Sequence, residues 1–238
     1  MINAPTTRKG FLNGNLIKII ALITMTIDHV GVMLFPAVEW LRIVGRISMP
    51  LYAFLIAEGC KYTKNKLRYF LLVFLLGVAC QVVYYVNDGS LFMGILIVFS
   101  ISIATIYAFQ YAFKSKKWYC YLLPISLIVL AYFVNYYLPD FIKEGSLIFD
   151  YGFFGMTLPV IIYLFDYIFK NKWLTLFGVA IGLLPLSIGS WSLQWWSYLS
   201  LIPLAFYNGE RGKLNLKYAF YVYYPLHLVV IYAIRFFA

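Results

Sequence analysis

Apolar runs of about 20 residues, divided by short polar turns, recur along the whole chain. A hydrocarbon core roughly 30 Å thick needs about that many residues in helical form, so each run predicts one crossing. About nine helices result, with approximate spans 15–35, 41–61, 67–87, 91–112, 118–138, 151–169, 173–189, 191–207 and 217–237. The seventh run is short, and its break from the eighth at Gly189 and Ser190 is weak, so eight or ten crossings also fit. Alternating polar-in, apolar-out strands are absent, which argues against an outer-membrane barrel. The predicted class is all-α: a polytopic integral membrane helical bundle, one transmembrane domain over 1–238, without a soluble domain, long linker or repeat.

Composition agrees. Hydrophobic residues make up 63% of the 238, and mean hydropathy is +0.83. Charged residues are 12%, against about 25% in soluble domains. The net charge of +10 invites a nucleic-acid reading, but its distribution does not. Fifteen of the nineteen basic residues fall on one side if the N-terminus is cytoplasmic. They are Arg8, Lys9 and Lys18; Lys61, Lys64, Lys66 and Arg68; Lys114, Lys116 and Lys117; Lys170 and Lys172; Arg211, Lys213 and Lys217. Outside loops hold Glu39, Asp88, Asp140, Glu144 and Asp150. Positive charge inside thus predicts N-in and C-out. Cys60, Cys80 and Cys120 lie in or beside apolar runs and imply neither metal ligation nor a disulfide framework. The first run is too long for a signal peptide, carries Asp28 and His29, and lacks a small-x-small cleavage site. It is expected to remain as the first helix.

Four residues fall outside the inside-positive pattern: Arg42, Arg46, Lys143 and Arg235. Within the first helix, Lys18 and His29 are eleven residues apart, about three full turns, so they share one face. That face starts near the cytoplasmic surface and reaches the outer half. Lys18 either serves a ligand or snorkels to headgroups. His29 is either a functional group or an interhelical hydrogen-bonder. Asp28 points about 100° away from His29, toward a neighbouring helix.

The second helix carries Arg42, Arg46 and Glu58. Arg46 and Asp28 have similar depth and can pair; Glu58 has the depth of Lys18. Either pair can also be purely architectural. Gly45 and Pro50 predict a locally irregular helix there. The last helix carries His227 near mid-membrane, with Pro225 two residues and Tyr224 three residues before it. Neither histidine sits in a metal motif, and no metal site is expected. At the outer mouth, FDYGFFG presents Asp150 and Tyr151; Asp150 is either a helix cap or an acceptor-binding group. The basic turn YNGERGK, Tyr207–Lys213, faces the cytoplasm.

Four blocks resemble the TraX family of bacterial membrane proteins. They are LIKIIALITMTIDHVGVMLFP; LRIVGRISMPLYAFLIAEGCKYTKNKLRYF; the pair DYGFFGMTLPVIIYLF and YNGERG; and KYAFYVYYPLHLVVIYAI. That family resembles, more distantly, the acyltransferase-3 class, whose first helix has a basic residue, ten intervening residues and a histidine. Lys18 and His29 have this spacing. A late-helix histidine after an aromatic residue is also similar, although YYPLH departs from the usual pattern. TraX members are associated with N-terminal acetylation of pilin, and the wider class acetylates surface sugars.

The resemblance implies a multi-pass protein of the bacterial inner membrane that moves an acetyl group from cytoplasmic acetyl-CoA to an amine or hydroxyl of a peptide or glycan acceptor. His29 would be general base or transient acyl carrier. Asp28 or Arg46 would orient it or balance charge. His227 or Tyr224 would donate to the developing oxyanion. Lys18 and Arg68, with Arg46 and Glu58, would make up the donor site. Asp150, Tyr151 and Tyr224 would meet the acceptor. The lipid bilayer, acetyl-CoA and the acceptor are the expected partners, nucleic acid is not, and a homo-oligomer is compatible. Two other classes stay open: a transporter or proton-coupled channel, and a non-catalytic assembly factor for conjugation or surface machinery.

The orientation has a direct check. Alkaline phosphatase fused after Lys117 should be inactive, and fused after Asp140 it should be active; the reverse pattern would invert the topology.

Overall fold

The computed structural model describes residues 10–89, 91–141, 147–189, 192–213 and 217–237. Arg8, Lys9, Lys143, Glu144 and Ser190, which enter the topology above, lie outside the described residues, as does the side chain of Lys217. The described residues are all-helical apart from turns, an isolated bridge between Leu12 and Tyr207, and one pair of two-residue strands. Among the described residues seven helices are long and apolar enough to cross a membrane: Gly14–Met33, Glu39–Tyr62, Lys66–Asp88, Ile95–Ser115, Trp118–Asp140, Gly152–Phe169 and Phe220–Phe237.

The elements in order are α1 (Gly14–Met33), α2 (Glu39–Gly45), α3 (Ser48–Tyr62), α4 (Lys66–Asp88), β1 (Phe92–Met93), α5 (Ile95–Ser115), α6 (Leu122–Tyr136), α7 (Leu138–Phe141), β2 (Ile148–Phe149), α8 (Gly152–Phe169), α9 (Lys172–Ile188), α10 (Leu201–Ala205) and α11 (Lys217–Phe237). Asparagine starts three of them. Asn13, Asn65 and Asn171 each accept a backbone N–H of the first turn, at α1, α4 and α9. Such caps satisfy donors that have no partner inside the helix.

Three departures from the predicted spans have local causes. The second predicted helix is broken at Arg46 and Ile47 into α2 and α3, as Gly45 and Pro50 foreshadowed. The Ser48 hydroxyl donates to the Gly45 carbonyl at 2.8 Å and satisfies part of that break. The fourth helix starts at Ile95 rather than 91, because Phe92 and Met93 pair in parallel with Ile148 and Phe149. The predicted helix 191–207 is instead a 3-10 segment, Ser192–Ser200, followed by the five-residue α10. Pro203, inside α10, has no N–H to offer the Leu199 carbonyl, so one hydrogen bond of a continuous helix is missing where the 3-10 segment meets α10. At 17 residues, α9 is short for a crossing.

The chain divides into two compact units. The second unit is Ile56–Tyr163. Here α5 is central and packs on α4 and on α6. The Ser102 hydroxyl of α5 donates to the Met156 carbonyl of α8, and Gln110 of α5 donates to the Cys60 carbonyl of α3 at 3.0 Å. Each bond ties a polar side chain of α5 to a backbone oxygen of a neighbouring helix. All three cysteines are free and buried.

The first unit comprises Met1–Leu55 and Leu164–Ala238. In it α1 packs on α2 and on α11, and α9 packs on α10 and on the 3-10 segment. On α1 the residues Ile17, Ala21, Thr24, Asp28 and Gly31 are buried. Steps of three and four place them in one stripe. The turn YNGERGK closes on the start of α1 by backbone bonds: Leu12 donates to Phe206, Asn208 to Leu12, Gly14 to Glu210 and Asn15 to Arg211. Gly209 and Gly212 supply positive φ angles, 83° and 89°, that this turn requires.

Contacts between α1 and α11 advance together along both helices. Lys18 lies over the Phe220 ring, Thr26 bonds Tyr223, and His29 bonds His227. The two helices therefore run parallel.

In the first unit α8 and α9 meet where Gly178 lies against Phe165; a Cβ on Gly178 would sit 2.6 Å from the ring. Gly178→Leu should destabilise the protein by about 1–3 kcal/mol through overpacking, seen as a lower melting temperature in detergent.

Candidate functional site

Asp28 sits on the buried stripe of α1, 8% exposed. A carboxylate in an apolar interior must be paired, and here two guanidiniums do so. Arg46 Nη2 donates to both Asp28 oxygens at 2.7 Å, and Arg42 Nη1 donates to Oδ2 at 2.9 Å. The pairing expected between Asp28 and Arg46 is present, and Arg42 joins it. Arg42 and Arg46 are four residues apart, so one face of α2 and its cap presents both. The α2 backbone can come this close only because Gly45 lacks a side chain; a Cβ there would collide with the Asp28 carboxylate. Gly31 plays the same part in the other direction, against Leu41. On the far side Arg46 Nη1 donates to Gln194 Oε1 at 3.4 Å. Gln194 belongs to the 3-10 segment and is 5% exposed, and its amide nitrogen has no hydrogen-bond partner among the described residues.

About 100° around α1 from Asp28, His29 meets α11. Its Nδ1 is 3.2 Å from His227 Nε2. The rings are tilted by 50° with centroids 5.0 Å apart. His227 is buried, and its Nδ1 lies 3.3 Å from the Tyr223 carbonyl, one turn back. Tyrosines surround it. Tyr223 stacks on it at 5.7 Å, and Tyr224 meets it edge-on at 5.6 Å. Tyr52 of α3 in turn meets Tyr224 edge-on. Thr26 donates to the Leu22 carbonyl, so in its 2.9 Å contact with Tyr223 the phenol is the donor.

The structure thus brings Asp28, His29, Arg46, His227 and Tyr224 into one cluster. Lys18 lies lower on the same face of α1, with its ammonium 5.8 Å from the Phe220 ring centroid on α11. That distance is within cation–π range. Glu58, Arg68, Asp150 and Tyr151 belong to the second unit. Within it, Glu58 is on α3, and the Arg68 amide donates to the Asn65 cap. The Asp150 amide donates to the Met93 carbonyl at 3.0 Å, which continues the strand pair into the turn. Tyr151 and Gly152 both have positive φ, 58° and 56°. For a tyrosine that conformation is rare and strained.

Sequence reasoning missed three contributors. Arg42 carried a signal, its i, i+4 spacing to Arg46. Tyr223 and Gln194 carried little: one is a tyrosine among many, and the other lies far along the chain in an irregular segment.

Comparison with known proteins adds a family. The family model described as "TraX protein" matches residues 13–235. A probable fimbrial assembly protein, FimC of serogroup H1, from Dichelobacter nodosus is 21% identical, over 90% of this chain and 92% of that protein. An uncharacterized protein from Rickettsia prowazekii (strain Madrid E) is 28% identical, over 53% of this chain and 49% of that protein. No solved structure matches.

Removing one partner of the clamp exposes its value. Arg46→Ala leaves a buried carboxylate with half its compensation and should cost about 3–5 kcal/mol. Asp28→Asn combined with Arg42→Gln and Arg46→Gln should cost less than Arg46→Ala alone, because no charge is then left in the clamp. Thermal melts of the purified variants read both.

Proposed function

This chain belongs to the TraX family, and on that footing we propose that it is a membrane-embedded acetyltransferase moving an acetyl group from cytoplasmic acetyl-CoA to an amine or hydroxyl acceptor. The acceptor is a pilin-like N-terminus or a surface glycan, and the membrane is the bacterial inner membrane with the N-terminus inside. The observation that carries this reading is the histidine pair: two imidazoles in contact on α1 and α11, both of which are candidate membrane-spanning helices. Ionisable groups at such depth are costly and mark functional sites by default. Imidazole is also the side chain whose ordinary pKa suits proton transfer near neutrality.

The residues divide the work. Lys18, eleven residues below His29 on the same face of α1, attracts the phosphates of the donor from the cytoplasmic side. The face between them, about 16 Å long, accommodates the extended pantetheine arm. His29 removes the acceptor's proton as it attacks the thioester, or carries the acyl group in passing. The Asp28–Arg42–Arg46 clamp holds α1 at the rotation that presents His29.

A second reading has its own support. The clamp is sufficient as a purely architectural lock between α1 and α2, and one similar protein is named for fimbrial assembly. A non-catalytic assembly factor would need no more than this.

The two readings part at His29. In the enzyme, His29→Ala lowers acetyl-CoA-dependent acetylation by about a thousandfold while the protein stays folded and continues to bind acetyl-CoA. Lys18→Ala weakens binding instead. Full assembly of the surface structure in cells carrying His29→Ala, with no CoA thioester bound by the purified wild type, would establish the assembly factor.

A further inference from the structure

The chain has two histidines, and the direction of the bond between them can be read from their surroundings. A carbonyl only accepts, so His227 Nδ1, facing the Tyr223 carbonyl, carries a proton. In a neutral ring the other nitrogen then holds a lone pair. His227 Nε2 is therefore the acceptor of the 3.2 Å bond, and His29 Nδ1 is its donor. His29 Nε2 is left with the lone pair.

An aspartate usually orients a catalytic histidine through its Nδ1–H. Asp28 does not serve here: it points about 100° away from His29 around α1, where Arg46 and Arg42 hold its oxygens. We infer that His227 takes that place, as the positioning residue that holds His29 with its lone pair on Nε2 and receives the Nδ1 proton when Nε2 becomes charged. This departs from a role for His227 at the oxyanion, since its Nε2 is an acceptor and its Nδ1–H is directed to Tyr223. Tyr223 fixes the relay from below, its ring stacked on His227 within 4° and its hydroxyl anchored to Thr26 of α1.

The kinetic part of the inference rests on the acetyl-transfer reading. In that reaction the acceptor nitrogen or oxygen bonds to the thioester carbonyl carbon and gives its proton to His29 Nε2. The Nδ1 proton of His29 shifts to His227 Nε2, so positive charge is shared by the two rings. Collapse of the tetrahedral intermediate breaks the C–S bond. The thiolate takes the proton from His29 Nε2, and His227 returns the other. The net result carries one proton from acceptor to CoA sulfur.

The tautomers are tested without any substrate. Protein labelled with 15N-histidine has two rings, assigned by comparison with His227→Phe. Both neutral rings should carry their proton on Nδ1; a proton on Nε2 of either neutral ring overturns the inference. For the kinetics, His227→Ala should leave the KM for acetyl-CoA within about twofold and lower kcat by at least about a hundredfold. Added imidazole should restore part of that kcat in His227→Ala, and not in His227→Phe, where a ring already fills the space. An unchanged kcat, or a loss that imidazole does not relieve, overturns the relay. If wild type turns over no acetyl-CoA, the acetyltransferase reading falls, while the nitrogen spectra still decide the tautomers.

Discussion

The packing of α1 in the first unit follows from one buried carboxylate. Asp28 faces inward on α1, where an uncompensated charge would cost several kcal/mol, and it is met by three guanidinium contacts from α2 and its cap. This pairing dictates the close approach of α1 and α2, which needs glycine at 31 and 45. It also dictates where α2 must end, since Arg46 reaches the carboxylate from the turn between α2 and α3. The break that interrupts a membrane-crossing span is the geometric condition for the ion pair.

The same pairing sets the rotation of α1 about its axis. With Asp28 held toward α2, the face about 100° away turns to α11. That face bears Lys18, Thr26 and His29, and each has its contact on α11: Phe220, Tyr223 and His227. The charge clamp thereby aligns Lys18, Thr26 and His29 with their contacts on α11. Because Asp28 is neutralised by arginines, it leaves the histidines to each other. Two neutral rings joined by one hydrogen bond carry no net charge into the apolar interior, which makes the pair tolerable in a membrane where an ionised one would be expensive.

Much of this was legible in the residues themselves. Seven of the predicted crossings coincide with helices of spanning length to within a few residues, because a 20-residue apolar run has few alternatives in a bilayer. The irregularity of the second span was visible in Gly45 and Pro50, and the Asp28–Arg46 pair in their matching depths. The 3-10 segment Ser192–Ser200 was not visible, since its apolar content resembles that of a helix and only Pro203 hints otherwise. Neither was the short strand pair of Phe92–Met93 with Ile148–Phe149, which joins residues far apart in the chain through backbone bonds that no side chain announces.

The amino-acid sequence by itself determined that the chain is an all-helical membrane protein, that its charges lie on particular faces, and that Lys18 and His29 share one of them. These are consequences of hydropathy and helical period, which are local. The tertiary structure alone decided that His29 meets His227, that Arg42 shares Asp28, that Gln194 reaches Arg46, and that α1 and α11 run parallel. Those are matters of which helix lies beside which. Two helices nearly two hundred residues apart can satisfy their buried polar groups in many pairings, and only the packed arrangement selects the one in which Asp28 meets two arginines and His29 meets His227.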